Sequence, residues 1–400
     1  MRAHWKWLLI AYIALASSAS AADFSFDGYV DARLVLPGGE KSWIGGELGK
    51  LRFGAGQPSP NFRIAEAVGQ VSVAISQEIH GVVLARIEPE DRAGIDLLET
   101  YVGWRPQTSG DLSWSMKAGA FFPPVSLEND DLGWTSPYTL TPSAINSWVG
   151  NELRTIGGEG TVVRQGSIGA ISVTGALFCC NEPAGVLIAK HGWTLNDRPT
   201  GLFERARLPD KLSNSSATPI PYRTGLIENI DGNIGWYGKL QWSIPELGQL
   251  AAFCYDNHAG ADESTARDHA WRTQFWNVSY RGQIGDVTIL SQAMDGDTDI
   301  GYAPAHVTRF TSAFVLASYD IDDWRVSARA EAFATRNASA IKRDEDGHAL
   351  TLSASWNARS WLRLAGELIR LSSRRGDRAT FNLPPNETDN QFQLSARLFF

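Results

Sequence analysis

The last ten residues, QFQLSARLFF, constrain the fold more than any other stretch of this chain. Counting back by twos gives Phe400, Leu398, Ala396, Leu394 and Phe392. The residues between them, Phe399, Arg397, Ser395, Gln393 and Gln391, are polar except for Phe399. A period of two sends successive side chains to opposite faces of a strand, so one face is apolar and the other mostly polar. A soluble sheet can produce the same alternation. In an exported chain, a last strand ending on an aromatic points to the closing strand of a transmembrane β-barrel. Its apolar face would meet lipid and its polar face a watery lumen.

The N-terminus reads as an export signal. Arg2 and Lys6 precede an apolar run over 8–16, and Ala19, Ser20 and Ala21 form a small-residue cleavage site. The run is shorter than the roughly 20 residues a spanning helix needs, and no cysteine follows the cleavage site to take a lipid. Residues 1–21 are therefore expected to be a signal peptide and 22–400 a single barrel domain. Beyond Ala22 no long apolar helix candidate occurs. A membrane-spanning chain must then cross with strands, and those strands must close, because backbone amides in hydrocarbon need internal partners. Cleavage removes two of the 36 Lys and Arg residues, leaving 34 against 44 Asp and Glu, a net charge near −10; that argues against a nucleic-acid partner.

Alternating segments recur along the chain. Phe24, Phe26, Gly28, Val30, Ala32 and Leu34 oppose Ser25, Asp27, Tyr29, Asp31 and Arg33. Leu98, Thr100, Val102 and Trp104 oppose Glu99, Tyr101 and Arg105. Similar runs lie at 112–120, 236–244, 324–332, 350–357 and 362–368, each near the ten residues of a tilted membrane strand. Tyr29, Trp104, Trp236, Trp242, Trp324, Trp356 and Trp361 near strand ends suggest aromatic girdles at the two interfaces. In the C-terminal half, short linkers (245–248, 282–285, 320–323, 357–360) alternate with long ones (257–269, 295–305, 336–346, 373–389), as periplasmic turns and outer loops do. The predicted fold is all-β: an antiparallel transmembrane barrel of about 16 strands, within a range of 14 to 18. Long outer loops are expected over 123–150 and 181–230. The first half runs one strand out of phase, which places a missing segment between 37 and 63.

No nucleophile elbow or zinc-helix motif occurs, so no catalytic residue, metal or cofactor is expected. Asp295, Asp297 and Asp299 have the spacing of a calcium loop, but the glycine falls one place late and His306 stands where the closing glutamate belongs; a solvated acidic loop is expected. Cys179, Cys180 and Cys254 read as inert thiols at strand positions, with oxidation within the trio as the alternative. The polar strand faces carry Arg33, Glu99, Arg105, Lys117, Lys239, Arg325, Arg329, Glu331, Arg363, Glu367 and Arg397, and Lys50 and Arg52 are added as flanking Leu51. These are the candidate pore-lining residues. Such a basic wall either favours anions or pairs with acids across strands and stiffens the barrel. Pro123 and Pro124 end a strand. The Ser/Pro/Trp-rich stretch after them, with Glu128, Trp134, Tyr138 and Trp148, is the candidate constriction loop.

The stretch KAGAFFPPVSLEN, Lys117 to Asn129, resembles the phosphate-selective porin O/P family of Gram-negative outer membranes, in which a strand leads through a proline-containing turn into an inward-folded loop. The resemblance implies a 16-stranded, trimeric, passive channel. The expected function is diffusion of small hydrophilic solutes across the bacterial outer membrane, with a weak anion preference. The expected partners are lipid, lipopolysaccharide, two further copies of the chain, and the barrel-assembly machinery, which would read the strand ending in Phe400. The competing readings are a surface-binding barrel that uses 181–230 as a recognition loop, and a lipid-hydrolysing barrel.

Overall fold

The computed structural model describes residues 23–54, 56, 59–89, 94–180, 182–209, 223–226, 231–261, 263, 270–301, 307–338 and 343–400. The expected signal peptide lies outside them. Eighteen strands form among the described residues. In chain order they are β1 (Asp23–Leu36), β2 (Asn61–Ala74), β3 (Ile79–Ile87), β4 (Ile95–Trp104), β5 (Leu112–Phe121), β6 (Thr155–Gly166), β7 (Gly169–Cys179), β8 (Arg205–Arg207), β9 (Arg223–Gly225) and β10 (Ile234–Ile244). The remainder are β11 (Gly248–Asp256), β12 (Arg272–Ile284), β13 (Val287–Asp299), β14 (Val307–Ile321), β15 (Trp324–Asn337), β16 (Glu345–Arg359), β17 (Leu362–Arg375) and β18 (Asn386–Phe399). Sixteen of these close into one antiparallel barrel, in which each strand pairs with its sequence neighbour and β18 pairs with β1; β8 and β9 form a separate small ribbon. The expected barrel of about 16 strands is thus observed. No helix among the described residues is long and apolar enough to cross a membrane.

The closure follows the terminal alternation. Leu398, Ala396, Leu394 and Phe392 of β18 sit opposite Val30, Ala32, Leu34 and Leu36 of β1, on the outward face. Gln391, Gln393, Ser395 and Arg397 point inward and are buried. Phe400 continues the pairing through reciprocal backbone hydrogen bonds with Gly28, 3.0 Å each. Its ring lies where a Cβ on Gly28 would stand, so only glycine fits beneath it. Large apolar side chains stand outward on other strands, Val315, Val326, Leu350 and Leu352 among them, and Trp324 stacks on Trp356 at 5.5 Å near the rim of short turns. Tyr29 is no girdle residue: it points inward, fully buried, and donates to Glu66 at 2.6 Å.

The structure also resolves the strand parity. The segment 61–87 supplies two wall strands, β2 and β3, whereas the described residues of 37–60 supply none. Five strands therefore precede 122–154, which places that loop and both chain ends of the wall on the correct rims. A bulge where β3 pairs β4 turns Leu98 inward, out of step with Thr100 and Val102. The acidic run at 295–299 is no loop. It belongs to β13, with its aspartates alternating with inward Met294, Gly296 and Thr298. Among the described residues, no group of His, Cys, Asp or Glu side chains is arranged to hold a metal.

Candidate pore and its constriction

Three connections on the long-loop side turn into the barrel and do not stand away from it. The first is 37–54. The second is 122–154, including a π-helical turn at Asn146–Gly150. The third is 182–209, which begins with helix α1 (Ala184–His191). Prolines explain the second turn-in: Pro123 has no amide for the ladder, so β5 stops at Phe121. Every residue of 141–155, polar members included, is buried. Every residue from Pro183 to Thr200 is buried as well.

Buried carboxylates on the wall hold the second segment in place. Glu331 accepts from the Ala144 amide at 2.7 Å and Glu367 from the Thr141 amide at 3.0 Å. Arg329, fully buried, pairs with Glu331 and with Glu128 of the segment, 2.9 Å each, and donates to the carbonyls of Thr141 and Pro142. Trp134 stacks on Phe122 at 4.2 Å and donates to the Gly150 carbonyl. Trp148 donates to the Gly192 carbonyl at 2.7 Å, joining the second segment to the third. Tyr138 lies under the Arg325 guanidinium at 5.2 Å. The predicted constriction residues Pro123, Pro124, Glu128, Trp134, Tyr138 and Trp148 therefore do belong to one inward-folded segment, which continues past Gly150 to Arg154.

The third segment was expected as an outer excursion, and the structure corrects this. Glu182 anchors its start, accepting from Asn257 at 2.9 Å. Helix α1 lays Ala184, Val186, Leu187, Ile188 and Ala189 into one apolar cluster with Phe178, Tyr237, Phe253, Tyr255, Phe275, Phe310 and Phe333 of the wall. Trp193 then donates to the Ala334 carbonyl of β15 at 3.0 Å, and its amide donates to Glu345 of β16 at 2.9 Å. The Leu202 amide donates to the Leu97 carbonyl of β4 at 2.8 Å. In the closed order β15 and β4 are seven strands apart by the shorter way and nine by the longer. Residues 193–202 therefore cross the lumen almost along a diameter. The signal for this was present in the sequence: 184–189 carries no polar side chain, and a helix apolar on all sides is a buried one. Cys179, the last residue of β7, is disulfide-bonded to Cys180, which has φ +81°; the expected inert thiols are a bonded pair where this segment leaves the wall. Cys254 is free and exposed.

The candidate lining residues divide into three groups. Arg33, Arg329, Glu331, Glu367 and Arg397 point inward from strands and are buried. Lys50 and Arg52 are also buried, but on the first inward segment and not on a wall strand. A relay of ion pairs runs from Arg397 to Asp31 (3.2 Å), Arg33 (2.8 Å), Asp197 (2.6 Å), Arg52 (3.1 Å) and Glu88 (2.9 Å), and on to Arg198 (2.7 Å). It links β1, β18 and two inward segments. Lys50 pairs with Glu345 at 2.5 Å. Sequence reasoning placed Asp31 beside Arg33 on the polar face of β1 but missed Glu88, Asp197 and Arg198, because these reach the wall charges only when separate loops meet inside the barrel. The third group is half-buried, with Arg325 and Arg363 near the short-turn rim and Glu99, Lys117 and Lys239 further along their strands. Lys117 pairs with Glu159 at 3.3 Å, Arg325 with Asp320 at 2.6 Å and Arg363 with Asp131 at 3.0 Å, while Glu99 accepts from the Phe122 amide at 2.8 Å. Lys239 is half-buried and makes no ion pair among the described residues. Arg105 does not line the lumen: it lies just past the end of β4, exposed at the short-turn rim. Between the second segment and β2–β4 lies a cleft of about 290 Å³, lined by Gln70, Glu99, Ser126, Asp130 and Trp134 among others.

Burial dominates two titrating groups of the inward segments, Glu152 and His191. It pushes the Glu152 carboxyl up to about 7. It holds the His191 imidazole down to about 4; the carbonyls of Arg207 and Glu47 at its two ring nitrogens oppose this, and Arg375 and Lys50 add to it.

No protein-family model matches the chain, and no curated protein matches it either. Solved structures do. OmpT of Vibrio cholerae is 10% identical with a TM-score of 0.54, over 96% of this chain and 99% of that one. The anion-selective porin from Comamonas acidovorans is 10% identical with a TM-score of 0.55, over 95% and 100%. The outer membrane channel DcaP of Acinetobacter baumannii is 12% identical with a TM-score of 0.54, over 96% and 100%. At these identities the likeness carries the architecture: the chain has the closed 16-stranded antiparallel barrel fold of outer-membrane porins.

Proposed function

We propose that this chain is an outer-membrane channel for passive diffusion of small hydrophilic solutes. The observation that carries the reading is a closed barrel with an apolar outer face and an inner face that carries charge on β1, β15, β17 and β18, narrowed by the inward segment 122–154. Lipid would cover the first surface and water the second. The fold neighbours described as channels support it, and the trimer form of V. cholerae OmpT supports an assembly of three copies. Lipopolysaccharide would meet the polar outward residues at the long-loop ends of β13, β15 and β16, and the assembly machinery would meet β18. The resemblance of Lys117–Asn129 to phosphate-selective porins favours anionic solutes. The near-complete pairing of inward cations favours weak selectivity, and we take the latter. We assign the chain no catalytic step. Single-channel recording in planar bilayers tests the proposal: stepwise, ohmic currents are expected. A folded barrel with no conductance, before and after removal of 184–203, would sink it in favour of a surface-binding barrel.

A further inference from the structure

We propose that 182–203 is an autoinhibitory plug, and that the aromatic band on the inner wall is its seat; the proposal rests on the channel reading above. A water-filled lumen is ordinarily faced by polar side chains. Here the inner wall of β7, β10–β12 and β14 instead presents a run of rings, which reaches across Gly296 of β13. Phe178 meets Tyr255 at 5.3 Å, Tyr255 meets Phe275 at 5.0 Å, Phe253 meets Tyr237 at 5.3 Å, and Phe275 meets Phe310 at 6.5 Å. Trp193 of the segment closes the row against Phe310 at 5.9 Å.

The band is covered by α1, whose apolar side chains are as buried as those of a soluble core. Beyond α1 the chain crosses the lumen to β4. Pairing to Arg33 and Arg52 through Asp197, and to Glu88 through Arg198, ties it to the wall and to the first inward segment. Both ends of the crossing are thus fixed, and its middle offers no exposed residue. A solute entering from the long-loop side meets this strap before it meets the segment 122–154 constriction. With the strap gone, the outer half of the lumen would be bounded by the aromatic band on one side and, on the other, by Arg397, Asp31, Arg33, Arg52 and Glu88, the members of the relay that lie outside the strap.

The test compares single-channel conductance of the full-length wild type with that of two variants. One replaces 184–203 by a short Gly/Ser linker. The other is Leu187→Asp with Ile188→Asp, which places charge against the rings while leaving the wall and the crossing ion pairs intact. Barrel formation in all three is checked by β-sheet circular dichroism and by heat-dependent gel mobility, so a deletion that fails to fold leaves the double variant to decide. A several-fold rise in conductance in the folded variants is the expected result. Folded variants whose conductance equals that of a conducting wild type would overturn the plug and leave the channel reading standing. No conductance in any folded form would overturn both.

Discussion

Arg329 shows how a residue read as lining a pore can serve another purpose. Its guanidinium is fully buried between Glu128 and Glu331, so it balances two carboxylates and presents no charge to water. Arg329→Met would strand both acids in a low-dielectric site, and breaking a buried pair costs about 3–5 kcal/mol. Urea unfolding of the detergent-solubilised barrel should show a loss of that size, with the reversal potential in a salt gradient unchanged. Lys239 is the opposite case: half-buried, with no ion pair among the described residues. Lys239→Gln should move the reversal potential towards cations with little change in stability. An unmoved potential would mean that the fixed charge of the inner vestibule does not set selectivity.

At the scale of elements, β18 and α1 make contrasting predictions. Leu394 stands on the outward face of β18, where an arginine near the bilayer midplane costs about 2–4 kcal/mol. Leu394→Arg should lower folding stability in lipid vesicles by that order. No loss would count against a lipid-facing strand. Helix α1 ends on His191, held neutral by burial, with its folded value near 4, below its ordinary value. Above pH 6.5 both folded and unfolded states are neutral and its contribution is fully present. As pH falls from 6.5 towards 4 the unfolded chain binds a proton that the folded chain does not, so stability is lost. His191→Gln cannot titrate, so its thermal midpoint should fall less than that of the wild type across this window. Parallel curves would mean that His191 is not held neutral.

The whole molecule has two apolar surfaces with different partners. One faces outward around the barrel. The other fills the outer half of the lumen, where α1, Trp148, Trp193 and the inward rings pack as a core. The first follows from a period-two pattern. The second is built by loops that the alternation does not describe, and ion pairs between loops and wall bind it in place. If three copies assemble, light scattering of the protein extracted in mild detergent should report a trimer, and a monomer would remove that part of the proposal.

The sequence by itself determined the closed antiparallel barrel, its approximate strand number, the facing of β18, and the turn-in after Pro123. These rest on local periodicity and on the geometry of proline, which a short window of residues carries in full. Tertiary structure alone decided the strand parity before residue 90, the inward course of 37–54 and 182–209, the disulfide between Cys179 and Cys180, and the pairing of the lumen charges. Asp31, Arg52, Glu88 and Asp197 lie up to 166 residues apart in the chain. What brings them together is the desolvation of charge inside the barrel: each buried ion needs a partner, and closure of the wall determines which one it finds.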